Sequence, residues 1–383
     1  MPSALDTVGE ASTKQAPPPA KRRSLRSGEN PYGWLFVSPM IIVLGLFLII
    51  PIGLALWVSL LSYNGQGSPF GPNAHFVGLE NYRRLFFQEG LTRTDFMTSL
   101  RNTFYFVVFV VPLQTVLSLS LALVVHQRFL RGRSFFRSAF YFPSVTSSIA
   151  ISIVFLFLFQ NTGVVNSLLS KVGVDGPAWF SDPRGLFHIV LEAVGLGSTA
   201  NPPAVLADND VAGLSLWEWF AGPSVAMCTI ISLVVWTTAG TFMLMFIAGL
   251  QDLPRDLEEA AMLDGVNGWQ RLRYVVIPHL RPILFLVITL GLIGTWQVFD
   301  QIYVMGKGAP AKTTLTPAYL SYDAGFGNFK YGLGAAMSFV LFAIIIAMTL
   351  LQRYVTRDKD AVKERRVLRV SRRQIAASDR EGR

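Results

Sequence analysis

The chain has 383 residues, of which 51% are hydrophobic and 15% are charged, and its formal net charge is +9. Soluble domains carry about 25% charged residues, so this composition argues against a soluble enzyme and predicts an integral membrane protein. The positive charges flank apolar runs, which indicates membrane topology rather than nucleic-acid binding. The single cysteine, Cys228, excludes an intramolecular disulfide.

Residues 1–30 are rich in alanine, proline, serine and basic side chains, which predicts a disordered basic tail in the cytoplasm. Six apolar runs follow, and each is long enough to cross a bilayer, for which about 20 residues suffice. The sequence therefore predicts an all-α integral membrane protein with six transmembrane helices. Its membrane domain covers residues 31–355, and a second basic cytoplasmic tail covers residues 356–383. The predicted transmembrane helices are 34–61, 102–126, 135–160, 224–250, 282–305 and 333–354.

The distribution of basic residues predicts the orientation. If both termini are inside the cell, the inner segments hold 24 of the 33 Lys and Arg residues and the outer segments hold 9. Because positive charge accumulates on cytoplasmic segments, we expect an N-in/C-in arrangement. The outer segments then include a short helix around residues 79–86, a long segment over 161–223 with an interfacial helix at 186–196, and a Gly-, Pro- and Thr-rich loop at 306–332.

Several chemical motifs are missing from the sequence. It contains no Gly-x-x-x-x-Gly-Lys-Ser/Thr motif, so no phosphate-binding loop of that type is expected. The four histidines are scattered without metal-ligand spacing, which favours surface or interfacial histidines. No arrangement of nucleophile and base stands out. We therefore expect no catalytic residue, no metal site and no cofactor bound by this chain.

Asp300 is the one acidic residue inside the six predicted helices, and basic residues occur there only near the ends. Ion-coupled carriers usually keep charged groups in mid-membrane, so this pattern argues against ion coupling and against a strongly charged solute. The helices instead carry hydroxyls, amides and aromatic rings, which suit a neutral, hydroxylated solute. An alternative remains open, in which the hydroxyls only bond to the backbone or to neighbouring helices.

The segment 252–278 interrupts the apolar pattern with eight charged residues. Moving it into a bilayer would cost on the order of 20 kcal/mol, so we expect a cytoplasmic loop between the fourth and fifth helices. Pro254 predicts a helix that begins at this position, and Gly265 predicts its end. Asn267 and Gln270 predict a capping box for a second helix that ends at Pro278.

A helical wheel places Leu253, Leu257, Ala260 and Ala261 on one side of the first of these helices. The alanines are small, so another surface could approach closely. From these residues alone two interpretations stay open. The loop either docks a soluble partner or is a structural amphipathic loop without a partner.

The pattern Glu259-Ala260-Ala261-x3-Gly265-x9-Val275-x-Ile277-Pro278 lies in this segment. It resembles the EAA signature of binding-protein-dependent ABC transporter permeases, with valine and isoleucine in place of that signature's isoleucine and leucine. Four further stretches resemble the sugar branch of that family, the maltose and glycerol-3-phosphate type. These stretches are residues 76–82, 136–143, 299–303 and 332–338, and the resemblance as a whole covers residues 33–180 and 223–355.

The resemblance implies a permease subunit of an ATP-driven importer that passes a sugar across a bacterial inner membrane by alternating access. The implied partners are a second permease subunit in a heterodimer, two ATP-binding cassette subunits that hold ATP and Mg, an extracytoplasmic solute-binding protein and membrane lipids. The loop 252–278 would be a coupling helix that seats in an ATPase subunit. The residues implied in that contact are Glu259, Ala260, Ala261, Asp264 and Gly265.

The resemblance also implies a substrate path near mid-membrane, between the helices that flank the loop. Within it, Gly291, Thr295 and Phe299 are expected on one face of the fifth helix. The residues expected along the path are Ser144, Thr237, Thr238, Gly291, Thr295, Trp296, Gln297 and Phe299.

Other functions remain as alternatives. One is an ABC permease for glycerol-3-phosphate or another polar solute, which the lack of basic residues inside the helices disfavours. Another is an autonomous secondary transporter or channel, and a third is a membrane-embedded enzyme. The outer segment 161–223 is longer than the family pattern and either extends the docking surface for a binding protein or is a tolerated insertion.

Overall fold

The computed structural model describes residues 30–127, 130–195 and 202–356, so the predicted tails lie outside the described residues except at positions 30 and 356. The chain divides into two compact units, residues 1–54 and 55–383. Helix α1 (Asn30–Leu44) leads through a π-helical turn (Gly45–Ile49) into α2 (Ile50–Ser59). The large apolar side chains of the first unit are exposed, among them Phe36 at 89%, as suits a surface in contact with lipid.

The second unit begins with two short antiparallel strands, β1 (Leu61–Ser62) and β2 (His75–Phe76), followed by α3 (Glu80–Phe86). Helix α3 confirms the helix predicted around residues 79–86. The next helix, α4 (Leu91–His126), has 36 residues and is about 54 Å long at 1.5 Å per residue. The sequence predicted that this helix starts at residue 102, which is too late. Charged residues near the N-terminal end of α4 interrupt the apolar run, but the helix continues through them.

The predicted single helix over 135–160 is wrong. The structure has α5 (Arg133–Val145) and α6 (Ser148–Leu158), which meet at an angle of 96°. Thr146 and Ser147 between them are extended, with ψ of 146° and 128°. Pro143 removes one backbone donor just before the break, and serine and threonine favour helix ends over helix interiors.

The described part of the outer segment contains α7 (Val164–Lys171), α8 (Leu186–Ala193), α9 (Ala204–Ala207) and α10 (Leu216–Trp219), with a hairpin of β3 (Asp210–Val211) and β4 (Leu214–Ser215). Helix α8 confirms a helix within the predicted range 186–196, but it ends at Ala193, and residues 194–195 form a turn. Of the two locations predicted for the histidines, surface or interfacial, the surface location is wrong for His188. Its side chain is buried, and its ring stacks on Trp217 with centroids 4.1 Å apart.

Helix α11 (Val225–Gln251) agrees with the prediction at 224–250 and forms the centre of the packing. Its Met227, Ile230 and Leu233 pack against Phe106 and Val110 of α4. Within a membrane, the packing of side chains against one another drives the association of helices. The described residues of the second unit therefore form a helix bundle around α4 and α11.

The loop after α11 contains α12 (Arg255–Leu263), α13 (Gly268–Arg271), a π-helical turn (Leu272–Val276) and α14 (Ile277–His279). Two predicted boundaries shift by one residue, since Pro254 is the N-cap and the second helical run ends at His279 rather than Pro278. A bend of 72° then leads into the next helix, α15 (Arg281–Trp296).

The predicted fifth span, 282–305, is also wrong as one continuous helix. Helix α15 ends at Trp296, and a separate helix, α16 (Asp300–Met305), begins after a break at Gln297–Phe299. Phe299 has φ −134° and ψ −58°, outside the helical region. The carboxylate of Asp300 in the first turn of α16 favours a helix start there, because negative charge is stabilised at helix N-termini.

The segment predicted as a loop at 306–332 contains a further helix, α17 (Pro317–Tyr322), and a π-helical turn (Asp323–Gly327). Thr316 caps α17 by accepting a hydrogen bond from the Tyr319 amide, a signal that the glycine-rich composition masked. The last described helix, α18 (Tyr331–Val355), agrees with the prediction at 333–354.

Four helices of the described residues are long and apolar enough to cross a membrane, and the number rises to six if each of the two bent pairs counts as one span. The four are Gly33–Ser59, Leu91–His126, Val225–Gln251 and Tyr331–Val355. The bundle is therefore that of a multi-pass membrane protein. The count of six spans and the N-in/C-in orientation stay predictions.

Candidate functional site

A pocket with a mixed apolar and polar lining, here called the central pocket, lies between α4, α11, α15 and α16 and has a volume of about 250 Å³. Its walls combine apolar side chains with hydroxyl and amide groups, two glycines and one carboxylate, and they contain no Lys, Arg or His. The lining residues are Phe106, Gln114, Val234, Thr238, Phe242, Leu290, Gly291, Gly294, Thr295, Gln297, Val298, Phe299, Asp300 and Gln301.

The wall formed by α4 and α11 carries a pair of polar side chains, Gln114 and Thr238. Thr238 Oγ1 lies 2.8 Å from Gln114 Oε1 and 2.7 Å from the carbonyl oxygen of Val234. The Gln114 side chain is 1% exposed, and its Nε2 has no hydrogen-bond partner among the described residues. One hydrogen-bonding atom of this buried amide is therefore unsatisfied.

Gly291 faces this amide from α15. A Cβ atom at position 291 would overlap Gln114 Nε2. Because only glycine leaves this space free, α15 can approach α4 with the Gln114 side chain between them. The pocket wall at this point consists of backbone from one helix and an amide from the other.

The structure brings five of the eight predicted path residues into the central pocket: Thr238, Gly291, Thr295, Gln297 and Phe299. Thr295 donates its hydroxyl to the carbonyl of Gly291 at 2.7 Å. Phe299 lines the pocket from the break after α15, so it does not share a helical face with Gly291 and Thr295, and that part of the prediction is wrong.

The other three predicted path residues do not line the central pocket. Ser144 Oγ donates to the Thr237 carbonyl at 2.6 Å and accepts from the Thr241 amide at 3.2 Å, which joins α5 to α11. Thr237 donates its hydroxyl to carbonyls of its own helix. Trp296 is buried, with an exposed fraction of 3%, in a cluster with residues of α4 and α18. The contacts of Ser144 and Thr237 support the alternative in which the hydroxyl groups bond within the bundle.

Sequence reasoning missed Gln114, Asp300 and Gln301 as pocket residues. A signal for Gln114 was present, since it is an amide within the long apolar run of α4. Asp300 was recognised as an acidic residue but was not assigned to the path, because the break at Gln297–Phe299 was not foreseen.

Aromatic rings extend from the central pocket towards the segment 306–332. Phe299 packs on Tyr303 and Tyr322 with ring centroids 5.6 and 5.2 Å apart. Tyr322 stacks in turn on Phe326 at 5.2 Å. The Tyr303 and Tyr322 side chains are each 38% exposed and that of Phe326 is 62% exposed, so ring faces and edges beside the pocket are accessible.

The surface loop 252–278 folds as two helical pieces around Gly265. Gly265 has φ +71°, the left-handed conformation that glycine adopts without strain at a helix end. The predicted capping box is confirmed, since Asn267 Oδ1 accepts from the Gln270 amide and Gln270 Oε1 accepts from the Asn267 amide, each at 2.9 Å. An ion pair between Arg271 and Glu258 connects the two pieces.

The exposure of the loop residues differs from the helical-wheel prediction. Leu253 and Ala261 are buried, whereas Leu257 is 51% exposed. Glu259, Ala260, Asp264 and Gly265 are exposed, so four of the five implied coupling residues are accessible, and Ala261 packs inwards instead. Further large apolar side chains of the loop are exposed, namely Met262, Leu263, Trp269 and Tyr274.

No group of three or more His, Cys, Asp or Glu side chains with metal-binding geometry occurs among residues 30–127, 130–195 and 202–356. The predicted site residues gather mainly at two places, the central pocket within the bundle and the partly apolar loop at its surface.

Fold and site together define a helical, multi-pass membrane protein with the central pocket between its helices. The comparison with protein families gives the particular class. Residues 103–360 match the model of the family described as the binding-protein-dependent transport system inner membrane component. The chain therefore belongs to that family.

Curated relatives match along most of the chain. The lactose transport system permease protein LacF of Rhizobium radiobacter is 31% identical over 88% of this chain and 98% of its own length. The trehalose/maltose transport system permease protein MalF of Thermococcus litoralis is 28% identical over 85% of this chain and 94% of its own. The arabinooligosaccharides transport system permease protein AraP of Bacillus subtilis is 27% identical over 83% and 86%.

Among solved structures, a chain of a bacterial ABC transporter involved in the import of the acidic polysaccharide alginate matches with a TM-score of 0.64 and 20% identity. The match covers 86% of this chain and 97% of that one. This structural similarity shows that the two chains share a fold.

Proposed function

We propose that this chain is the transmembrane permease subunit of an ATP-driven importer that passes a neutral mono- or oligosaccharide across the cell membrane. The central pocket carries this proposal, because it offers amide and hydroxyl groups to a solute and has no basic side chain in its lining. Neutral hydrogen-bonding groups suit a hydroxylated solute. The relatives include lactose, trehalose/maltose and arabinooligosaccharide permeases, and their names support the same class of solute.

The exposed rings beside the pocket fit a sugar as well. The apolar C–H face of a pyranose or furanose ring packs on the electron-rich face of an aromatic ring. Phe299, Tyr303 and Tyr322 form a connected group at one end of the pocket. A sugar would pass along these rings and then replace its hydrogen bonds to water with hydrogen bonds to the amides and hydroxyls of the pocket.

Glycerol-3-phosphate and other anionic solutes fit less well. The lining holds the carboxylate of Asp300 and no side chain that would balance a phosphate. An anion in this place would remain uncompensated in an environment of low dielectric constant. The proposal therefore commits to a neutral sugar.

The loop 252–278 is proposed as the contact for an ATPase subunit. Its support is the exposure of Leu257, Met262 and Leu263 on a charged surface loop, with Leu263 at 89%. Apolar side chains of this size cluster at the centre of protein interfaces. Glu259, Ala260, Asp264 and Gly265 surround them and would form the rim of the same contact.

The complete importer is proposed to contain this chain, a second permease subunit, two ATP-binding cassette subunits that bind ATP and Mg, and an extracytoplasmic solute-binding protein. In the proposed orientation both termini and the loop 252–278 are cytoplasmic. The pair α5–α6 and the helix α15 then add two spans to the four long helices. The outer segment 161–223 then faces the binding protein.

The substrate class is tested with the assembled complex in proteoliposomes, supplied with its binding protein and ATP. The probes are radiolabelled lactose, maltose, trehalose, arabinotriose and glycerol-3-phosphate. We expect ATP-dependent uptake of at least one neutral sugar and none of glycerol-3-phosphate. Uptake of glycerol-3-phosphate alone, or sugar uptake that is independent of ATP, would contradict the proposal.

The coupling contact is tested by Leu263→Glu, which places a charge on the most exposed apolar residue of the loop. We expect the ATPase subunits no longer to co-purify with the permease in detergent, and ATP-driven uptake to be lost. Val205→Glu is the matched control for co-purification, since Val205 is 75% exposed on α9, outside the loop 252–278. Normal co-purification of the Leu263→Glu variant would show that the loop is not the contact.

A further inference from the structure

Gln114 is an amide in the middle of an apolar helix, and its burial poses a chemical question. The side chain is 1% exposed, and its Nε2 has no partner among the described residues. A buried polar atom without a hydrogen bond destabilises the folded protein, and such atoms are rare enough that each requires an explanation. A solute that enters the central pocket would provide the missing partner.

Thr238 controls which atom of the amide faces the pocket. Its hydroxyl has one proton and lies within hydrogen-bond distance of both Gln114 Oε1 and the Val234 carbonyl. When the proton goes to Gln114, the amide presents Nε2, a donor. When the proton goes to Val234, the amide can turn, donate Nε2 to Thr238 Oγ1 and present Oε1, an acceptor. Gln114 and Thr238 together can therefore present either a hydrogen-bond donor or an acceptor at the same position.

On the opposite side, the backbone of α15 lies directly against the amide. Gly291 has no side chain, and a Cβ there would overlap the Gln114 amide. Gly294, one turn along α15, also lines the pocket, and no atom lies within 4 Å of the position that a Cβ would occupy there. The open space on the α15 wall is therefore at Gly294, and the side chains of Leu290, Thr295 and Gln297 complete the lining around it.

We propose that Gln114, oriented by Thr238 and packed against the backbone of Gly291, binds a hydroxyl group of the transported solute. This inference rests on the proposed function of the chain as a sugar permease. A hydroxyl both donates and accepts, so it satisfies the amide in either orientation, whereas an apolar solute would leave it unpaired. Gln114 then discriminates between solutes by the presence of one hydroxyl at a fixed position.

The test uses the complete importer and the sugar that it takes up from the panel of lactose, maltose, trehalose and arabinotriose. Gln114→Leu replaces the amide with methyl groups of similar size, and Thr238 keeps Val234 as its acceptor. Ser118→Ala is the matched control, because it removes a buried hydroxyl one helical turn along α4 that bonds to its own helix. We expect uptake at subsaturating sugar to fall about tenfold for Gln114→Leu and to stay unchanged for Ser118→Ala.

A second measurement separates solute binding from a structural role. Monodeoxy analogues of the sugar are compared with the parent sugar in the wild-type importer and in Gln114→Leu, with the same binding protein in both. One analogue lacks the hydroxyl that Gln114 binds. For this analogue we expect the ratio of parent-sugar uptake to analogue uptake to be about tenfold larger in the wild-type importer than in Gln114→Leu. A merely structural role would lower uptake of all analogues by the same factor.

The possible outcomes distinguish this inference from the proposed function. If the wild-type importer takes up a sugar and Gln114→Leu keeps the full rate, or keeps the wild-type preference for every analogue, the role of Gln114 is refuted while the sugar permease stands. If the wild-type importer takes up no sugar of the panel under ATP, both proposals fail together.

Discussion

The hydroxyl of Ser148 donates a hydrogen bond to Oδ2 of Asp300. Ser148 is the first residue of α6 and Asp300 the first residue of α16, so this bond joins the second halves of two interrupted helices at the points where they restart. Asp300 also lines the central pocket. A contact between the two breaks is thus part of the pocket wall.

Removing this contact is expected to loosen the two helix starts. Asp300→Ala eliminates the acceptor, and we expect a loss of about 1 kcal/mol, which lowers the midpoint of thermal unfolding in detergent by about 2 °C. Asp300→Asn keeps an acceptor oxygen and is expected to retain most of the stability. Equal midpoints for wild type and Asp300→Ala would show that the bond contributes nothing.

Gly240 of α11 is expected to tolerate no side chain. A Cβ there would overlap the Phe140 carbonyl oxygen and lie 2.7 Å from Ser144 Oγ, so Gly240→Ala must push α5 away from α11. We expect a loss of about 1–3 kcal/mol, measured by thermal unfolding in detergent. Gly53→Ala is the control, because no atom lies within 4 Å of its added Cβ. A similar midpoint for both variants would argue against this close approach.

Gly265 is expected to be required for its backbone conformation and not for its size. It has φ +71° and free space around its Cβ position. Gly265→Val forces a β-branched residue into the left-handed region, at a cost of about 1–2 kcal/mol, and we expect ATP-driven uptake to fall. Gly265→Asn should retain uptake, since asparagine adopts this conformation more readily. Loss of uptake in both variants would instead indicate that a side chain at position 265 obstructs the partner.

The outer segment is expected to lose stability in acid through His188. Burial lowers the pKa of His188 below its usual value near 6.5, the hydrogen bond to the Trp217 carbonyl opposes this shift, and the nearby charge of Arg101 adds to it. As the pH falls below about 6.5, the unfolded segment takes up a proton that the folded segment resists, so folding is disfavoured there.

Limited proteolysis of the segment 185–219 measures this effect. We expect cleavage to accelerate between pH 7.5 and 5.5 in the wild type. His188→Phe keeps a ring against Trp217 but cannot titrate, so its cleavage should depend much less on pH. The same acceleration in the variant would assign the effect to another group.

The sequence indicated the features that depend on short stretches of chain. The apolar runs located α4, α11 and α18 because about 20 consecutive apolar residues suffice to cross a membrane. Gly265 and the pair Asn267 and Gln270 marked the ends of helices, since caps act within one turn. The EAA pattern at Glu259–Gly265 similarly indicated the family.

The breaks within the predicted helices were not foreseen. Hydropathy continues across Thr146–Ser147 and across Gln297–Phe299, so the apolar pattern is the same for a straight helix and for two pieces. The contact between Ser148 and Asp300 spans 152 residues, and a periodicity within one helix carries no information about it. The exposure of Leu257 and the burial of His188 likewise depend on neighbours that are distant in sequence.

By itself the sequence determined that this chain is a membrane-embedded permease with a charged surface loop, because hydropathy, helix caps and a contiguous motif are local properties. Only the tertiary structure decided which polar residues share a pocket. It placed Gln114 of α4 against Gly291 of α15 and turned Ser144 and Thr237 to contacts within the bundle. Such pairings follow from close packing between helices far apart in the chain, where the space left by one glycine determines which side chain fits.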